Sequence, residues 1–72
     1  MGPNIRQVLV YPDEDGYWVA EVPSLPGCNT QGDTREEALV NIKDAIEGYI
    51  EVLRAAGRPI PDETREVVGV SV

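Results

Sequence analysis

Histidine and phenylalanine are missing from this 72-residue chain, and cysteine occurs once, at Cys28. Without histidine the chain holds no Ser/His/Asp triad and no Cys/His dyad. A single cysteine builds neither a zinc-ligand set nor an internal disulfide. Any catalysis would rest on carboxylates alone. No basic segment leads into an apolar core of the signal-peptide kind, and no apolar run approaches the roughly 18 residues of a membrane span. Together with the sparing use of cysteine, this points to a soluble protein of a reducing cytoplasm. Basic residues are scarce as well: six Lys and Arg stand against thirteen Asp and Glu, for a formal net charge of -7. Counterion release rewards cations on the protein, so direct binding of nucleic acid is not expected, whereas a basic protein partner suits this field.

What is present reads as one small domain over residues 1–72 with no separate DNA-binding domain. A chain of this size buries only about 60% of its unfolded surface and gains from a partner subunit. Residues 5–11, IRQVLVY, have the β-branched and aromatic character of a strand, and the following PDEDG supplies a tight turn at Asp15-Gly16. Residues 17–22, YWVAEV, alternate: Trp18, Ala20 and Val22 fall on one face, Tyr17, Val19 and Glu21 on the other. Pro23 closes this strand, Pro26-Gly27 makes a turn, and CNTQG forms a short third strand.

The helix is the strongest signal. Thr34 followed three residues later by Glu37 is a capping box, with Asp33 as an alternative cap and Glu36 suited to the helix dipole. Ala38, Leu39, Ile42, Ala45, Ile46, Tyr49, Ile50 and Leu53 then recur at three- and four-residue steps until Gly57 and Pro59 end the run. The tail VVGVSV places Val68, Val70 and Val72 on one face of an expected fourth strand. The order is β-β-β-α-β, an α+β layer pair in which one helix covers one sheet face. The uncovered face, with Tyr17 and Val19, and the open strand edges are surfaces that a dimer buries.

No constellation argues for chemistry. Asp13, Glu14 and Asp15 lack the spaced ligands of a calcium loop and read as a solvated hairpin tip. Glu36, Glu37, Asp44, Glu47 and Glu51 lie mostly opposite the apolar stripe of the helix, a solvated face that a basic partner also fits. Cys28 has no neighbouring cation to make it a reactive thiolate and reads as a small buried filler. No metal site and no cofactor is expected.

Residues 11–53 carry three pieces in order: the acidic hairpin ending in Asp15-Gly16-Tyr17, the turn Pro23-x-Leu25-Pro26-Gly27-Cys28, and Gly32-Asp33-Thr34-x-Glu36-Glu37-Ala38 opening the helix. In this combination the chain resembles the HicB-like antitoxin family. The resemblance implies a truncated ribonuclease H-like fold with a fourth strand returning beside the first. It also implies a role, the neutralisation of HicA, a small basic toxin that cleaves messenger RNA. Ribonuclease H chemistry needs carboxylates in the first strand, the following helix and near the end of the fourth strand, around two metal ions. Neither IRQVLVY nor VVGVSV holds one. The expectation is a pseudoenzyme: a non-enzymatic binding module, dimeric by preference, that covers a basic toxin. The candidate interface residues are Asp13, Glu14, Asp15, Tyr17, Pro26, Gly27, Glu47 and Glu51. The alternative is an orphan homo-oligomeric interaction or regulatory module with no toxin partner.

Overall fold

Asp15-Gly16 turns the chain as a hairpin requires. Gly16 sits at φ +92°, its N–H donates to the Asp13 carbonyl at 3.1 Å, and the Asp13 N–H donates to the Tyr17 carbonyl at 2.6 Å. The structure, a computed structural model, describes residues 5–63 and 68–71. Its elements are β1 (Leu9–Pro12), β2 (Trp18–Glu21), β3 (Asn29–Gly32) and α1 (Arg35–Ala55). The three strands form one antiparallel sheet in the order β1-β2-β3. Leu9 pairs with Glu21 and Pro12 with Trp18 on one side of β2, while Trp18 pairs with Gly32 and Glu21 with Asn29 on the other.

β1 is shorter than the apolar pattern suggests. Beyond Glu21 the Val22 N–H turns to the Cys28 carbonyl at 3.0 Å and Pro23 leads the chain away, so residues 5–8 have no strand opposite them among the described residues. The alternation within β2 holds. Ala20 and Val22 are buried beneath the helix with Trp18 packed against them, and Tyr17 stands exposed.

The helix start is fixed by reciprocal side-chain bonds. Thr34 Oγ1 accepts from the Glu37 N–H at 3.1 Å, and Glu37 Oε1 accepts from the N–H of Asp33 rather than of Thr34. Its end is a Schellman motif. Gly57 takes φ +69° and donates to the Arg54 carbonyl, and the Arg58 N–H donates to the Leu53 carbonyl. The helix lies chiefly over β3 and β2 and touches β1 least. Ala20, Val22, Leu25, Cys28, Ala38 and Ile42 make the buried core. Leu25, from the turn between β2 and β3, is fully buried at its centre.

The fourth strand expected from VVGVSV is not formed within residues 68–71, which carry no strand pairing; Val67 and Val72 lie outside the described residues. Val68 and Val70 are 66% and 75% exposed. The alternation is there, but β1's outer edge has no described partner. The described order is β-β-β-α.

Candidate functional site

The sheet register gathers charge at one end of the molecule. Pro12, Trp18 and Gly32 form a cross-strand row, and the chain leaves this row in the same direction at both Asp13 and Asp33. Asp13, Glu14 and Asp15 of the hairpin tip therefore share an end with Asp33, Glu36 and Glu37 of the helix start. Arg35 is the one cation within residues 13–17 and 33–37. All of these carboxylates are exposed except Asp13, which is half-buried. Tyr17, 46% exposed, stands at the root of the tip.

From this end an open sheet face extends away from the helix. Leu9, Tyr11 and Val19 lie on it with Glu21, Asn29 and Gln31, as the register requires. Leu9 and Tyr11 are exposed. The Tyr11 hydroxyl donates to Glu21 Oε2 at 3.3 Å across the strand pair. Desolvation, and then the neighbouring Glu21 carboxylate, hold its pKa above the usual phenol value. The arrangement is a polar-rimmed apolar surface beside a negative tip.

The other candidate residues lie elsewhere. Pro26 and Gly27 occupy the turn beyond the far end of β2, so the whole length of that strand, about 13 Å at the usual rise, lies between them and the hairpin tip. They do not adjoin Asp13–Asp15 as one contact patch. Gly27 takes φ +82°, and the Pro26 carbonyl accepts from the Tyr49 hydroxyl at 2.9 Å, which fastens the turn to the helix. This supports the architectural reading of the turn. Glu47 and Glu51 are exposed on the helix flank nearest residues 5–8, and Glu51 is paired with Arg54 at 3.4 Å. Cys28 is a buried free thiol, and desolvation pushes its pKa up, as a filler role requires. Among the described residues no His, Cys, Asp or Glu side chains gather in a metal-binding group, and no helix is long and apolar enough to cross a membrane.

Asp33, Glu36 and Glu37 were legible in sequence as capping residues and a solvated face, but not as neighbours of the hairpin tip. Only the pairing of β2 with both β1 and β3 brings the two acidic segments together. The signal was available in the repeated rule that antiparallel neighbours return to the same end.

Comparison with known proteins adds the family. Residues 7–70 match the family described as "HicB_like antitoxin of bacterial toxin-antitoxin system". A UPF0150 protein of Thermoplasma acidophilum is 52% identical over 63 residues, covering 88% of this chain and 91% of that protein. A UPF0150 protein of Archaeoglobus fulgidus is 43% identical over 65 residues, with 90% and 86% covered. One from Synechocystis is 48% identical over 65 residues, with 90% and 82% covered. No solved structure matches the chain.

Proposed function

Because the chain belongs to the HicB-like antitoxin family, we propose that it is a non-enzymatic module that neutralises a small basic RNA-cleaving toxin of the HicA type by covering its surface. The observation that carries the reading is the acidic end, where the hairpin tip and the helix start leave the sheet on the same side, with exposed Tyr17 at the root of the tip and the open sheet face beside it. A toxin that grips RNA presents cations. The acidic end attracts them and repels the RNA that competes for them. The apolar side chains at the root of the tip supply desolvated contact, since charge alone steers an encounter more than it holds a complex.

The fold reads as a partial ribonuclease H-like sheet put to binding use. β1 carries no carboxylate, and the acidic residues gather at a surface tip instead of converging in a cleft. The site of action is the cytoplasm, where messenger RNA is cleaved. A homodimer is the assembly that best covers what a single 7.9 kDa chain leaves open.

The test is association with a purified HicA-type toxin by stopped-flow fluorescence of Trp18. The expected result is an association rate that falls as salt rises and falls again in Asp13→Lys with Glu14→Lys. A rate unchanged by both sinks electrostatic docking at this end.

A further inference from the structure

From Gln7 to Thr34 the chain contains no Lys or Arg, while Asp13, Glu14, Asp15, Glu21 and Asp33 fall within that stretch. The whole sheet, with both of its turns, therefore carries negative charge and no cation of its own. Arg6, just before the stretch, is directed to Ser24 Oγ at 3.1 Å, and the ion pair found among the described residues, Arg54 with Glu51, lies on the helix. On the open face of the sheet this imbalance surrounds an aromatic ring. Tyr11 of β1 is 41% exposed there. Leu9 shares its face, and Glu21 lies diagonally across on β2, because Leu9 pairs with Glu21 and Tyr11 with Val19.

The Tyr11 hydroxyl donates to Glu21 Oε2 at 3.3 Å, which ties that carboxylate to the edge of the ring and leaves its other oxygen open to a donor. Desolvation, then the Glu21 carboxylate, and after them the carboxylate of Asp13 raise the pKa of the same hydroxyl, so Asp13 is close enough to act on it as well. Two anions thus flank one exposed aromatic side chain. The face of the ring is itself the negative pole of its quadrupole and attracts a cation within about 6 Å of its centre. Ring and carboxylates together favour a group that is flat, cationic and edged with N–H donors. A guanidinium meets all three conditions: it stacks on an aromatic face, sheds water more readily than an ammonium, and matches a carboxylate with a fork of N–H groups. An ammonium is a point charge, which the exposed carboxylates of the tip serve equally well.

We propose that Tyr11 and Glu21 form an arginine-reading subsite on the open sheet face, where a guanidinium of a basic protein partner lies on the Tyr11 ring and donates to the Glu21 carboxylate. The inference rests on the reading of the chain as a module that covers a basic protein, and it names what the sheet face recognises in that protein. Charge complementarity selects the occupant: a neutral or acidic surface laid on this face would leave Glu21 desolvated and unpaired, which costs more than the apolar contact returns. The two parts of the surface then divide the work. The tip at Asp13–Asp15 steers the encounter through water, while Tyr11, with Leu9 beside it, anchors the complex once water is excluded. Changes at the tip act on association, and changes at Tyr11 and Glu21 act on dissociation.

The experiment has two arms. In the first, NMR of the protein alone follows a titration with triarginine and then with trilysine at low salt. Triarginine is expected to shift the Tyr11 ring and the amides of residues 9–11 and 21, and those shifts are expected to shrink severalfold with trilysine and in Glu21→Gln. An equal response to the two peptides, or shifts confined to the tip with Tyr11 unmoved, overturns the proposal. In the second arm, a purified HicA-type toxin is expected to leave Tyr11→Leu and Glu21→Gln about tenfold faster than wild type, with its association rate little changed. The double variant should lose less than the product of the two, because both side chains read one group. Tyr11→Phe keeps the ring and should lose less than Tyr11→Leu. Dissociation rates unchanged in Tyr11→Leu and Glu21→Gln, or a loss in Tyr11→Phe equal to that in Tyr11→Leu, overturn the subsite. A wild type that takes triarginine at Tyr11 and binds no toxin upholds the subsite and sinks the toxin reading.

Discussion

Gly32 passes so close beneath Ala38 that a Cβ placed on the glycine would stand 2.5 Å from the Ala38 backbone nitrogen. Thr30 Oγ1, two residues earlier on the same strand, donates to the Ala38 carbonyl at 3.3 Å. The first turn of the helix thus rests directly on β3, at the end of the sheet that also carries the hairpin tip. Gly32→Ala is expected to cost about 1 to 3 kcal/mol, because the obstruction is backbone and not the end of a flexible side chain. Gly48→Ala, on an open stretch of the same helix, should stabilise by up to about 1 kcal/mol. Urea unfolding of the two variants checks the pair, and equal effects would mean that β3 and α1 are not in contact.

A second expectation concerns the helix stripe, whose members are not equivalent. Ile42 is 2% exposed, whereas Leu39 and Ile46 are half-buried. Ile42→Ala should cost about 2 to 5 kcal/mol, and Leu39→Ala less. Urea unfolding of the two variants measures this.

The capping pair offers a third. Thr34→Ala removes the acceptor for the Glu37 N–H and should cost about 0.5 to 2 kcal/mol, with the acidic residues left in place. Helix content by circular dichroism should hold at low urea and be lost earlier.

The buried thiol supplies a pH dependence. Desolvation raises the pKa of Cys28 in the folded chain above its unfolded value. Below the unfolded value the thiol is neutral in both states and its favourable burial is fully present; as pH rises toward the folded value, the unfolded state gains by ionising and stability falls. Stability should therefore decline on the alkaline side in the wild type and less so in Cys28→Ala. Alkylation of the native protein should follow transient opening and not surface exposure.

Much of this molecule is legible in local patterns. Thr34 and Glu37 announce the helix, Gly57 and Pro59 end it, and the alternation of Trp18, Ala20 and Val22 selects the buried face of β2. Each of these signals acts over a few residues. Leu25 was named only as part of a turn, yet it fills the core, because a turn sequence does not say which side chain it directs inward. The valines at 68 and 70 give a strand pattern but not a partner, since pairing depends on an edge elsewhere in the chain or on another chain. The joining of the tip to the helix start is likewise a matter of register, invisible in either segment alone.

The proposal of a toxin-covering module is tested most directly by cleavage of messenger RNA by a purified HicA-type toxin, titrated with this protein. Cleavage should stop at a fixed stoichiometry with the wild type and should persist to higher ratios with Asp13→Lys and Glu14→Lys, more so as salt rises. Cleavage that continues undiminished in a large excess of folded wild-type protein would contradict it.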